Sequence, residues 1–179
     1  MRRFCVIVLM ILFGLSGCKK NESPRFSGTM TISNKAVDQN YSVYGFDVPT
    51  GQKVLNLHNQ QDVITIQPDF EVDYTVRKLF FAADNLYNSF YRFGQYADVT
   101  AASLDFKNLT SFSDPQWKQL GDSVKANQIW LFRTSDEKYA KLRIISTLTE
   151  KRLDMPFPYA ECTFEWVFQP DGSLTFPAK

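Results

Sequence analysis

Apolar and polar residues alternate along most of this chain, beginning at Phe26. In "FSGTMTIS", Phe26, Gly28, Met30 and Ile32 fall on one side, and Ser27, Thr29, Thr31 and Ser33 on the other. Successive strand side chains point to opposite faces, so this run predicts a strand with one buried side. "YSVYGFDV" repeats the pattern with Tyr44, Phe46 and Val48 on one face. Pro49-Thr50-Gly51 then supplies a turn into "KVLNL". "VITIQ" (Val63 to Gln67) and "YTVRKLFFA" (Tyr74 to Ala82) are further β-branched and aromatic runs suited to a pleated, half-buried surface. The last third alternates most cleanly. "NQIWLFRT" leads through the polar turn "SDEK" into "YAKLRIIST", with Ala140, Leu142 and Ile144 opposite Tyr139, Lys141 and Arg143. Ala160, Cys162, Phe164, Trp166 and Phe168 share one face of the next strand. Pro170-Asp171-Gly172-Ser173 turns the chain back into "LTF". The fold class predicted is mainly β, an antiparallel meander forming a sandwich or a partly closed barrel.

One segment breaks the period. Ser113-Asp114-Pro115 places a capping side chain ahead of a proline suited to a first helical position. Trp117, Leu120 and Val124 follow at i, i+3 and i+7, so one short helix is expected near residues 114–124. The charges of "RTSDEKYAKLRI" (Arg133 to Ile144) are expected on a turn and on solvent-facing strand positions, as hairpin scaffold and not as a site.

The N-terminus carries an address. Arg2 and Arg3 precede an apolar run of 12 residues, Phe4 to Leu15. That suits a signal peptide and falls short of the roughly 20 residues a spanning helix needs. The run closes on Leu15-Ser16-Gly17-Cys18, which resembles a bacterial lipobox. The resemblance implies cleavage after Gly17 and lipid on Cys18. Residues 1–17 are thus read as a lipoprotein signal peptide, 18–25 as a lipidated tether containing "KKNESP", and 26–179 as a single β-rich domain. The expected location is the outer membrane. One acid in the tether leaves the periplasmic and surface faces both open.

Removal of residues 1–17, which hold two arginines and no acids, leaves 18 basic against 19 acidic groups. With no basic excess, nucleic acid is not expected as a partner. Cys5 is discarded and Cys18 is lipidated, so Cys162 has no intramolecular disulfide partner. Its apolar strand neighbours mark it as core. There is no GxSxG elbow, P-loop or HExxH sequence, and no enzyme activity is expected.

Candidate sites come from a few segments. "DNLYNSFYRFGQY" mixes aromatic and polar residues as wet binding surfaces do, so Tyr87, Tyr91 and Tyr96 are the candidate ligand-binding residues. Phe90 and Phe93 could instead fill the core. Asp69, Glu71 and Asp73 would share one face if "PDFEVD" were a strand throughout. A solvated or edge-strand face is the expectation, with Ca²⁺ the alternative. Asp122-Ser123-Val124 resembles the short O-glycosylation acceptor of some lipoprotein-rich bacteria, with Ser123 as the acceptor.

"IWLFRTSDEKYAKLRIIST" followed by "YAECTFEWVFQPDGS" resembles the lipoproteins of the HmuY type, over Ile129 to Phe176. The resemblance implies an all-β, lipid-anchored domain. For the best-known members it also implies haem capture by paired His or paired Met. This chain offers one histidine, His58, so a bis-His site within it is impossible. Met30 alternates with Phe26 and Ile32 as core does. A haem ligand would have to come from Met155, in the proline-rich loop "RLDMPFP", or from His58 in "NLHNQQ". The fold is carried over and no cofactor is expected. The partners expected are the membrane, through the lipid, and a small ligand or an envelope protein. A structural subunit of an outer-membrane complex is the alternative, and a carboxylate-dependent hydrolase the third reading.

Overall fold

The alternating segments pair into two antiparallel five-stranded sheets, seen in a computed structural model that describes residues 26–39, 41–56, 60–85 and 88–176. The first sheet contains β1 (Ser27–Ser33), β6 (Phe90–Gln95), β8 (Gln128–Arg133), β9 (Tyr139–Glu150) and β10 (Tyr159–Gln169), in the order β1-β10-β9-β8-β6. The second contains β2 (Val43–Asp47), β3 (Gln52–Asn56), β4 (Val63–Phe70), β5 (Val76–Ala82) and β7 (Gly121–Asp122), in the order β3-β2-β4-β5-β7. The sheets stack as a sandwich and do not close into a barrel. Among the described residues one helix, α1 (Val99–Asn108), lies outside both.

The predicted inward faces form the core between the sheets. Ile32, Phe46, Val48, Ile64, Phe81, Ala140, Leu142, Ile144, Cys162, Phe164 and Trp166 are all buried there. Phe46 spans the interface, with its ring 4.9 Å from Trp166 and 5.4 Å from Phe164. Each such side chain contributes about 1.5–3 kcal/mol by leaving water. Met30 packs partly buried against this core, as its alternation with Ile32 requires. Tyr44 departs from the expectation: it is exposed, with Lys53 Nζ 5.6 Å from its ring centroid. The turns predicted at Gly51 and Gly172 use the left-handed backbone that glycine permits, at φ 68° and 75°.

The outer face of the first sheet is also covered, which the hairpin reading did not anticipate. Helix α1, residues 109–117 and the C-terminal Leu174 and Phe176 pack over Ile129, Leu131, Tyr139 and Val167. Lys141, expected in solvent, is 1% exposed beneath that cover. Its ammonium donates to the carbonyls of Phe106 and Leu109, at 2.7 and 2.8 Å, and sits over the Phe106 and Phe176 rings. Carbonyls at a helix C-terminus lack partners within the helix and carry the negative end of its dipole, so a buried cation is satisfied there.

The helix is where the sequence reading needs correction. Residues 114–124 are not helical. Asp114 accepts from the indole N–H of Trp117 at 2.7 Å and does not cap a helix. Lys118 pairs with Phe90, and Gly121–Asp122 pairs with Phe80 and Phe81 as an edge strand. Trp117 stacks on Tyr139, Leu120 is exposed and Val124 enters the inter-sheet core, so the i, i+3, i+7 residues serve three different places. The actual helix starts at Asp98, whose carboxylate accepts from the Ala101 N–H at 2.8 Å. It buries only Ala102 and Phe106, with Leu109 just beyond its end.

The strand directions give the sandwich two distinct ends. The chain enters β1 beside the end of β10, where Ser27 faces Val167, and leaves it at Asn34. The near end, where the chain enters, holds the β8–β9 hairpin, residues 48–51 and residues 60–62. The far end is made by residues 34–42, 71–75 and 151–158. Seven residues of β1 separate the two by about 20 Å, at roughly 3.3 Å per residue.

Candidate functional site

A cavity of about 480 Å³ opens at the far end, between the loops of residues 34–42 and 151–158. Its floor comes from the strands: Val43 at the start of β2, Asn56 at the end of β3, and Gln67, Pro68 and Phe70 along β4. Its rim comes from Asn34 to Ala36, Tyr41 and Ser42 on one side, and from Asp154 to Phe157 on the other. The rims are tied together by Asn34. Its amide N–H donates to the Pro158 carbonyl and its amide oxygen accepts from the Ala160 N–H, both at 2.8 Å. The first rim is stiffened as a tight hairpin: Val37 N–H donates to the Ser42 carbonyl, and Ser42 N–H to the Asp38 carboxylate, both at 2.9 Å.

Four aromatic rings run across this end in a continuous chain. Tyr41 lies 6.3 Å from Phe157, Phe157 5.9 Å from Phe70, and Phe70 stacks on Tyr74 at 6.0 Å. Tyr41, Phe157 and Tyr74 are 63%, 50% and 44% exposed. Val72 and Leu153, on the neighbouring loop tips, are completely exposed. Water-facing aromatic rings in contact with one another offer an apolar surface whose desolvation by a ligand is favourable.

The polar groups here divide into paired and unpaired. Lys35 meets Asp154 at 3.8 Å, Arg152 bonds Glu150 and lies 3.3 Å over the Tyr159 ring, and Lys151 lies 5.3 Å from the Tyr74 centroid. The amide oxygen of Asn56 is buried and has no hydrogen-bond partner among the described residues. A buried acceptor left unpaired costs about 1–3 kcal/mol.

Of the residues proposed from sequence, Met155 lines this cavity and is half-buried. Cys18, His58 and Tyr87 lie outside the described residues. Tyr91 and Tyr96 lie away from the cavity, on the outer face of the first sheet, both packed partly buried against the cluster beneath α1. Tyr91 meets Trp117 edge-on at 6.5 Å and borders two depressions of about 360 and 350 Å³. Burial and its hydrogen bond to Asp105 push the Tyr96 phenol up to about 12. Phe90 is fully buried in the inter-sheet core, while Phe93 is exposed.

The remaining candidates take structural places. Asp69, Glu71 and Asp73 do not share a face, because β4 ends at Phe70 and the chain turns at Val72–Asp73. Asp69 pairs with Arg77 at 3.1 Å, and the Asp73 carboxylate accepts from the Thr75 N–H and hydroxyl, both at 3.0 Å. Ser123 is half-buried at φ 61° between Asp122, which pairs with Lys78, and buried Val124. Cys162 is wholly enclosed, and burial drives its thiol far up. A neutral, enclosed thiol is a packing group and not a nucleophile.

The far-end cavity is the feature that sequence reading missed, because its walls come from segments more than a hundred residues apart. The signal available was the run of apolar residues in two turn-like loops, "FEVDY" and "LDMPFP", where a hairpin tip is expected to be polar. No known protein family, curated protein or solved structure matched this chain.

Proposed function

We propose that this protein is a lipid-anchored, non-enzymatic binding protein of the bacterial cell envelope, and that the far-end cavity is its binding site. The observation that carries the reading is the chain of water-facing rings beside the cavity. The direction of β1 supports it. The tether would join at the near end, so an outer-membrane anchor at Cys18 would hold the cavity away from the lipid. The HmuY-type resemblance of Ile129 to Phe176 agrees with an envelope binding protein.

Haem fits the described residues of this cavity poorly. Met155 is the only sulfur among the described residues of its lining. Lys35, the one cation among the described residues of its lining, meets Asp154 at 3.8 Å, where the two carboxylates of haem would need free cations. The reading is therefore of a cavity for another ligand. Fully exposed Val72 and Leu153 favour one second reading, a subunit docking an envelope protein through these loop tips.

The full lipoprotein, released from membranes in mild detergent, separates these readings. Native mass spectrometry is expected to show a small molecule bound at one per chain. A stoichiometric protein partner with no small molecule would favour the subunit reading. Cys18→Ala is expected to abolish acyl labelling, and a labelled variant would refute the anchor.

A further inference from the structure

The far-end cavity restricts its ligand by what it withholds, and the restriction deepens the reading given above, on which it rests. Its volume of about 480 Å³ falls in the range of small-molecule sites, about 300–1,000 Å³. Most polar side chains of its lining are committed or enclosed. Asn34 uses its amide N–H and its amide oxygen on the backbone of Pro158 and Ala160. Lys35 and Asp154, the one cation and the one anion among the described residues of the lining, meet each other at 3.8 Å. Ser42 is buried, and the Asn56 amide oxygen is shut off from solvent and so from a ligand as well. Gln67 and the Tyr41 hydroxyl are what polar capacity is left. The rest of the lining is apolar, with Val43, Pro68, Met155 and the rings of Phe70 and Phe157 prominent in it.

The rings are tilted against one another. Phe157 lies at 56° to Tyr41 and at 39° to Phe70. A flat ring system could lie on one of them at a time, whereas a flexible chain can follow all three. We propose that the cavity binds a single acyl chain, laid along Tyr41, Phe157 and Phe70 beside Met155, with its head group in solvent at the mouth. A chain has no hydrogen-bonding groups along its length, so a lining with little open polar capacity costs it nothing. Sugar hydroxyls placed here would lose water without replacement. Methionine is unbranched and adapts its shape, which suits contact with a flexible ligand. Rings that face water in the free protein gain by being covered, and each methylene that leaves water adds to the affinity. The Asn34 tie between the rims fixes their spacing beforehand, which limits the ordering cost of binding to the chain itself.

The test uses the full lipoprotein in phospholipid nanodiscs, with dodecanoic acid carrying a diazirine on its chain as the flexible probe and a diazirine-bearing biphenyl as the rigid one. After illumination, peptide mass spectrometry locates the labelled residues. The acyl probe is expected to label residues 41–43, 67–70 and 155–157, saturably, at no more than one per chain, and unlabelled dodecanoate should suppress the labelling. Met155→Asp puts a charge into the lining and should raise the half-saturating concentration by about tenfold or more. Met155→Leu should retain labelling, and Tyr91→Ala, on the outer face of the first sheet, should leave it unchanged. The unfolding transition of each variant shows that it is folded, and Ala36→Trp, which fills the cavity from the opposite rim, serves as a second blocking variant. Acyl labelling confined to the loop tips Val72 and Leu153 would report contact with the bilayer and overturn the proposal. Labelling indifferent to both blocking variants, or no acyl labelling in the cavity, would do the same. The broader reading fails separately. Cavity labelling by the biphenyl that dodecanoate does not suppress would reject the acyl chain and keep the cavity as the binding site, whereas a copurifying small molecule retained by both blocking variants would reject the cavity itself.

Discussion

The two ends of the sandwich are built from similar short connections and are chemically opposite. At the near end, Asp62 is buried at φ 64° and accepts from the Ser135 N–H at 2.7 Å and the Ser135 hydroxyl at 2.8 Å. Its own N–H donates to the Asn85 amide oxygen at 2.9 Å. The Asn85 amide N–H donates in turn to Ser89 Oγ at 2.7 Å and to the Arg133 carbonyl at 3.3 Å. Three connections, β3–β4, β5–β6 and β8–β9, are thereby locked by polar groups that satisfy one another. At the far end the contacts between loops are aromatic and the rings face water, while each end keeps a buried amide oxygen without a partner among the described residues, Asn56 at the far end and Gln60 at the near one. An end whose loops are locked to one another by polar bonds is scaffold. An end that leaves a chain of rings facing water has something to give a ligand.

The sharpest separation should come from Asp62→Ala. It removes the acceptor for two Ser135 donors, one of them a half-buried backbone N–H, and each unmet donor costs about 1–3 kcal/mol. A loss of about 2–4 kcal/mol is expected in urea unfolding, with the m-value unchanged and far-end binding intact in the folded fraction. A loss below about 0.5 kcal/mol would show that this network does not hold the near end. The matching change at the far end, Tyr41→Ala with Phe157→Ala, should alter stability by less than about 1 kcal/mol, since both rings are half-exposed or more. It should also remove most of the fluorescence of a hydrophobic dye bound to the native protein. Undiminished dye signal would place the adhesive surface elsewhere, for example at exposed Phe93 or Leu104.

The contrast also explains how much could be read from the chain alone. The inter-sheet core was legible because strand side chains alternate with period two, and Ala140, Leu142 and Ile144 or Cys162, Phe164 and Trp166 announce their face directly. Lys141 shows the limit. Its position on the outward face was correct, but alternation says nothing about what lies over that face. Only the placement of α1, some 35 residues earlier in the chain, makes the site dry and gives the ammonium two carbonyls. The helix was misplaced for a related reason. Trp117, Leu120 and Val124 satisfy a helical spacing that an extended crossing segment satisfies equally well, while the narrow stripe of Ala102, Phe106 and Leu109 behind Asp98 gives a weak period. Met155 could be picked out as a loop methionine. Its association with Tyr41, Asn56 and Phe70 could not, because loop proximity follows from sheet order and the order β1-β10 against β3-β2-β4 is not written in any local pattern.

The smallest effects expected are in pH dependence, and they carry opposite signs at the two ends. Burial raises the Asp62 carboxyl above its ordinary value of 3.8. Between that value and its folded one, the folded chain holds a proton that the unfolded chain has released. The contribution of Asp62 is then largest on the acid side and declines as pH rises through the folded value. Asp73, in the exposed far-end turn, is lowered by the Thr75 N–H and hydroxyl it accepts from. Its contribution is complete above 3.8 and is lost as pH falls through its folded value. Carboxyl-carbon NMR titration should therefore find Asp62 above 3.8 and Asp73 below it. Thr75→Val should move Asp73 upward and leave Asp62 in place. Asp62→Asn should remove the part of the stability profile that declines with rising pH just above the ordinary carboxylate value. An Asp62 that titrates below Asp73 would mean that its two hydrogen bonds from Ser135 outweigh its burial, and the near end would then be held by a charged group and not by a desolvated one.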